Sequence, residues 1–341
     1  MKFATFWSLL RGGQLRAITS LGRAASNYHR VGFLAAGLSS GWLRRLSAGP
    51  VAFETLATDL QIPAEMRDGL MVWLQTGVAL GELTLQPQGF VVYGKLSRML
   101  LKPNNDAAAA FVEEMANLHN ALIAQAPERI RSGRFFTLGD QDARLVARSS
   151  RLVEPLICEA LAEVVPRRGP FKLLEIGCGS AAYIRSAALR NPELTSLGVE
   201  LQAEAAGLAR ENVAVWGLEN RVAIELGDIR ERTPEAIFDL ATLHQNIYYF
   251  PVAERVALLS HVRSFLKPEG RLLLTTICRG GSSTASILDL WGAMTAGCGR
   301  LPEPAEMMAQ IEQAGFSTRT TKKLIPGESF YAFVAINRKS V

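Results

Sequence analysis

The chain has 341 residues, of which 48% are hydrophobic and 20% charged. That balance supports buried cores and excludes a largely disordered protein, and at roughly 100–200 residues per domain the length predicts two domains. No apolar run reaches the roughly 18 residues of a membrane-crossing helix; the longest, residues 31–43, contains Gly and Ser and reads as a buried helix.

The net charge is +5, unevenly spread. Residues 1–53 hold Lys2, Arg11, Arg16, Arg23, Arg30, Arg44 and Arg45 and no acid. This start lacks a secretory pattern. Basic helices with one solvated face are the plain reading; a transit peptide or peripheral contact with an anionic membrane are the alternatives. Cys158, Cys178, Cys278 and Cys298 form no CxxC pair and have no His at ligand spacing. No metal site is expected, and sparse thiols fit a reducing cytoplasm.

Apolar residues at three- and four-residue spacing predict helices over residues 3–21 and 28–46, punctuated by Gly12–Gly13 and Gly22. After Pro50 come a short helix at 53–60, a turn, a helix at 64–74, and strands at 82–85 and 90–93 around Gln86–Gly89. Helix, turn, helix, hairpin is a winged-helix outline. Longer helices at 106–126 and 141–165 follow, and the break at residues 166–170 places the domain boundary: 1–165 and 166–341.

Beyond it, strands at 171–176, 196–199, 222–226, 238–243, 270–276 and 330–336 alternate with helices at 181–188, 203–216, 252–265 and 304–314. This predicts an α/β domain with a Rossmann-like, doubly wound parallel sheet. Ligands of such sheets bind beyond the carboxyl ends of the strands, at the switch point, so the strand-end residues carry the argument.

The first strand ends in Glu175–Ile176–Gly177–Cys178–Gly179–Ser180–Ala181. The glycines permit a tight turn and close approach of a ligand to bare backbone. Position 182 is Ala, so the third glycine of a dinucleotide fingerprint is missing. An acid before the glycines repels a pyrophosphate and suits a cation, such as the sulfonium and ammonium of S-adenosylmethionine. Glu200, at the next strand end, is placed for ribose hydroxyls. Asp228 is placed for an adenine amino group, with Leu201 and Ile229 on the ring faces. His244 ends the fourth strand, under the expected methyl group.

Together these residues resemble the class I S-adenosylmethionine-dependent methyltransferase family, over about residues 165–341. The turn Leu266–Arg271 adds to the likeness. The resemblance implies that Glu175 orients the loop and the cofactor's amino end, Glu200 binds ribose and Asp228 binds adenine, with Gly177, Cys178 and Gly179 forming the cradle. One departure is Ala181, where many members carry another glycine. The N-terminal half is similar to the small-molecule O-methyltransferases of plant and bacterial secondary metabolism. In that group the helical domain forms an intertwined homodimer and closes the acceptor pocket. Their His-Asp-Trp run, whose His is the general base, aligns here with Tyr248–Tyr249–Phe250. Either another group takes the proton or the acceptor needs no base.

His244 is the first candidate for that base, against packing on the cofactor. Tyr248 is a second catalytic candidate, and Tyr248 and Tyr249, with Trp291, are candidates to line the acceptor pocket or hydrogen-bond the acceptor, against ordinary aromatic core. His119 and His29 are candidates to reach it from the helical domain. His261 reads as an exposed helix face. The expected activity is O-methylation of a small apolar or aromatic metabolite, leaving S-adenosylhomocysteine. Alternatives are C- or N-methylation, a non-catalytic cofactor-binding protein, and a DNA-binding regulator. The last is disfavoured, because the helix at 64–74, with Glu65, Arg67 and Asp68, is net acidic and the hairpin tip uncharged. No nucleic-acid partner is expected.

Overall fold

A computed structural model describes residues 3–338; Lys2 and residues 339–341 lie outside the described residues. The chain divides into two compact units. The first runs to Ala121 and takes in Asp142–Leu152; the second joins Leu122–Gln141 to the chain from Val153 onward.

The first unit is mainly helical. A short helix, Phe3–Arg11, precedes the long helix Gln14–Ser39. The expected break at Gly22 does not occur. A right-handed glycine costs a helix only about 1 kcal/mol; the breaks fall where the backbone turns left-handed, at Gly13 (φ 71°) and Gly41 (φ 77°). Helices Trp42–Ser47, Phe53–Asp59 and Arg67–Ala79 then lead into a hairpin. Its strands, β1 (Leu83–Gln86) and β2 (Gly89–Val92), pair antiparallel. Leu34, Leu43, Leu46, Leu56, Leu74 and Phe90 form its core.

Two expected continuous helices are interrupted. Asp106–Glu114 passes through a π-helical turn, Met115–His119, into Asn120–Ser132. The second comprises Ala143–Ser149, a 3-10 turn and Glu154–Val164. The start at Ala143 is set by Asp142, whose carboxylate accepts from Arg144 N and Leu145 N at 3.0 Å.

The second unit holds a seven-stranded sheet of β3 (Phe171–Ile176), β4 (Leu194–Glu200), β5 (Val222–Leu226), β6 (Phe238–His244), β7 (Leu266–Ile277), β8 (Ser317–Lys323) and β9 (Phe330–Ile336). The order is β5-β4-β3-β6-β7-β9-β8. The first five are parallel; β9 runs antiparallel between β7 and β8. The sheet is therefore mixed, with its switch point between β3 and β6.

Side chains alternate across it. Leu174, Ile176, Leu243 and Leu274 pack with Leu258, Leu259 and Val262 of helix Arg255–Ser264. Leu173, Leu240 and Leu273 pack with Leu161, Ile184 and Ala187 of helices Glu154–Val164 and Ala182–Arg190. The Lys267–Gly270 turn lies inside β7 as an irregularity, with Glu269 left-handed (φ 65°) and the pairing shifted between Phe238 and Leu240. Strand β8 and helix Ser283–Met294 were not expected. Among the described residues no helix is long and apolar enough to cross a membrane.

Candidate active site

The carboxyl ends of β3, β4, β5 and β6 gather most of the expected residues. After Ile176 the chain turns through Gly177 (φ 65°) and Gly179 (φ 53°), and Ala181 (φ 61°) opens the following helix. An L-residue in that region costs roughly 1–2 kcal/mol, so Ala181 occupies a conformation made for glycine. Its methyl is fully buried, which offsets part of that cost. The loop is fixed by Gly177 N donating to Val199 O at 2.8 Å. Asn246, just beyond β6, donates through Nδ2 to Ile176 O, tying the two strand ends across the switch point.

Glu175 is 1% exposed, and neither carboxylate oxygen has a hydrogen-bond partner. Burial, and secondarily the charge of Glu200, push its pKa well above the ordinary carboxylate range. Glu200 differs: Oε2 accepts from Gly179 N at 2.9 Å and Oε1 from Gln202 N at 3.0 Å. Cys178 is buried and its thiol pushed up by burial. Asp228 accepts from Arg230 N at 2.9 Å and pairs with the Arg230 guanidinium through Nε and, at 2.6 Å, Nη2. That hydrogen bonding holds its carboxyl below the usual range. Arg230 also reaches Glu254 at 3.0 Å and covers the Phe250 ring at 5.5 Å. Leu201 is exposed, whereas Ile229 is buried in the core.

His244 is buried beneath the sheet's helix layer, edge-on to Tyr183 with centroids 4.8 Å apart. Its Nδ1 lies 3.0 Å from Thr275 Oγ1, and its Nε2 has no partner. Burial lowers its pKa to about 3. A neutral imidazole so reluctant to take a proton is poorly matched to a base acting near neutrality.

Tyr248, Tyr249 and Trp291 are brought together. The tyrosines stack at 5.2 Å, and Trp291 meets Tyr249 at 5.2 Å and Tyr248 at 6.1 Å, both edge-on. Leu122, Ala126, Phe136, Met294 and Leu301 complete this apolar cluster. Met307 belongs to the sheet core. His119 lies in the first unit, 3.3 Å from Glu114 Oε1 and edge-on to Phe111. His29 is in the same unit, beside Tyr28. The exposed-face reading of His261 is corrected: its Nε2 lies 2.9 Å from Ile229 O and its ring packs on Phe265. Ser260 and Ser264 suggested solvent, but the imidazole bridges to the turn after β5.

Sequence reasoning passed over Arg230 and Gln245. Arg230 was legible as a cation two residues after Asp228. Gln245 has φ 55° and accepts from Ile277 N at 3.0 Å; nothing in the pattern signals it.

Residues 174–272 match the methyltransferase domain family. Those residues of the second unit therefore form a methyltransferase domain. Among curated proteins the chain is 26% identical over 193 residues to demethylspheroidene O-methyltransferase of Rhodobacter capsulatus, covering 54% of this chain and 46% of that protein. It is 26% identical over 152 residues to ajmaline N-methyltransferase of Rauvolfia serpentina, covering 40% and 50%. The chain thus spans about half the length of the curated relatives it matches. The structure of mitomycin 7-O-methyltransferase superposes with a TM-score of 0.79 at 18% identity, over 96% of this chain and 99% of that one. The shared fold therefore includes the helical part.

The methyltransferase domain's cradle fits the family's cofactor. A buried carboxylate without a partner needs a cationic donor, which an α-ammonium supplies. The left-handed glycines leave backbone bare beside it, and Glu200 and Asp228 present further acceptors.

Proposed function

We propose that this chain methylates a hydroxyl of a small apolar or aromatic metabolite, converting S-adenosylmethionine to S-adenosylhomocysteine. The observation that carries the reading is the buried, unpartnered Glu175 carboxylate at the glycine turn, beside a Glu200 already set in place by backbone N–H groups. When bound, the cofactor would supply an electrophilic methyl on a sulfonium, whose sulfur keeps the C–S electron pair and is left as a neutral thioether without protonation. Glu175 receives the ammonium end. Glu200 turns its oxygens to the ribose hydroxyls, and Asp228, kept ionised by Arg230, accepts from the adenine amino group.

On the acceptor side, Tyr248, Tyr249 and Trp291 offer an apolar aromatic wall. His244 acts as a neutral packing group, so the acceptor arrives already ionised or as a weakly basic centre, and alignment supplies the rate, up to roughly 7–11 kcal/mol. A second reading, methylation at nitrogen or carbon, is favoured by the same neutral His244.

We further propose a homodimer acting in the cytoplasm. Support comes from the long helix Gln14–Ser39, whose Ile18, Leu21 and Tyr28 are exposed, and from four free cysteines. Light scattering on the purified chain tests the dimer.

The deciding experiment is calorimetric titration of S-adenosylmethionine and S-adenosylhomocysteine into wild type and Glu200→Ala. Expected is micromolar binding by the wild type, weakened by about 1–3 kcal/mol in the variant as hydrogen bonds to the ribose are lost. No binding of either compound to folded wild type overturns the proposal.

A further inference from the structure

Arg255 is the bulkiest fully buried side chain among the described residues, with no exposed surface. It stands first in helix Arg255–Ser264. Both facts are unfavourable for a cation. Burial strips its hydration, and the N-terminus of a helix already carries partial positive charge. Burial pulls its pKa down to about 10, against a smaller opposing effect of Glu306. Among the described residues no carboxylate lies within ion-pair distance of it. Its hydrogen bonds go to two carbonyls: Nε to Phe250 O at 3.2 Å and Nη2 to Arg300 O at 2.6 Å, while Nη1 has none.

Those carbonyls belong to two segments that frame the aromatic cluster. Phe250 ends the turn Ile247–Tyr249 that carries both tyrosines. Arg300 lies in the loop after helix Ser283–Met294, which carries Trp291. The segments also meet directly, Gly299 N donating to Tyr248 O at 2.9 Å. Gly299 leaves no room for a side chain: a Cβ there would stand 2.7 Å from Phe250 O, 2.8 Å from Arg255 Nη2 and 3.0 Å from Val252 N. Asp289, on the Trp291 helix, accepts from Leu301 N at 2.8 Å and fixes the loop's far side. A methionine or leucine would fill the volume without the cost of a buried charge. What the guanidinium adds is a rigid fork spanning two backbones.

We infer that Arg255 is a positioning residue, clamping the tyrosine turn to the Trp291 loop and so setting the shape of the acceptor wall. The inference rests on the methyltransferase reading for its consequence in turnover, but the clamp itself is testable without turnover.

The experiment compares wild type, Arg255→Lys and Gly299→Ala, using Trp291→Phe to define the contribution of the triad to the near-ultraviolet circular dichroism. Lysine keeps the charge but replaces the rigid planar fork, with its two separate donor nitrogens, by one ammonium on a flexible stem. Expected for Arg255→Lys is an unchanged far-ultraviolet spectrum, S-adenosylhomocysteine affinity within about twofold of wild type, and loss of more than half of the triad's signal. Gly299→Ala keeps the arginine but wedges the same joint open, and should lose the same signal if Arg255→Lys does not fold. A triad signal retained in a folded variant overturns the clamp. Failure of wild type to bind S-adenosylhomocysteine overturns the function reading and leaves the spectroscopic result standing.

Discussion

Glu175 and Glu200 end on neighbouring parallel strands, near enough that the charge of one raises the proton affinity of the other, yet only Glu200 has its oxygens satisfied. The pair is built asymmetrically. One acid holds the loop, and the other waits for a cation. Glu175→Gln should therefore stabilise the ligand-free protein while damaging cofactor binding. A carboxyl whose folded pKa is raised adds stability below its unfolded value, and that stability is lost as pH rises through the folded one. Glutamine does not titrate, so the variant's advantage should open above about pH 4.5 and reach about 1–3 kcal/mol, the scale of a buried unsatisfied group. Thermal melts from pH 4 to 8 measure it. A lower melting temperature at pH 8 would refute it.

His244 contributes with the opposite sign. Its folded pKa falls from 6.5 to about 3 by burial. A group depressed in this way stabilises the fold above its unfolded pKa, and the contribution is lost as pH falls through the folded value. Wild type should lose stability from pH 6.5 towards 3 more steeply than His244→Gln. The same variant should retain methyl transfer to a hydroxyl acceptor, assayed at a pH below that acceptor's pKa where a base would be needed, within about tenfold. A loss on the scale of 10² to 10⁴, typical of removing a general base, would restore His244 to that role.

Gly177→Ala should cost about 1–2 kcal/mol for its left-handed backbone alone. Its new methyl would also stand 2.7 Å from Asn246 Nδ2 and press on the tie between β3 and β6. Denaturant unfolding reads the first effect, and weakened S-adenosylhomocysteine binding the second. A substitution without consequence for either would mean that the turn is not set by its backbone conformation.

Trp291→Ala removes the ring against which both tyrosines pack, and Trp291 is 6% exposed. The expected loss is about 3–5 kcal/mol, read by urea unfolding. A loss below about 1 kcal/mol would mean that the cluster collapses into the space or was loosely packed.

Much of the sheet was legible because its strands are short apolar runs closed by polar residues or glycines: β3, β5 and β9 begin and end where those runs do. β8 was not legible. Its sequence, STRTTKK, is polar, as suits an edge strand with one neighbour. The Trp291 helix was hidden by the Gly-Gly-Ser-Ser stretch before it, and the π turn at Met115–His119 has no signature in composition. At the site, residue types and spacing pointed to Glu175, Glu200 and Asp228. Depth is what a strand-end position does not encode. His244 ends β6 and Leu201 follows β4, yet one is sealed under Tyr183 and the other faces solvent.

The placement of β9 carries a consequence for assembly. β8 is made before β9 but touches the sheet only through it. Until Phe330–Ile336 docks, β7 is an open edge and Ser317–Lys323 has nothing to join. The two must arrive as a preformed ribbon or in reverse order of synthesis, and a chain stalled between them would offer β7 to any strand that passed.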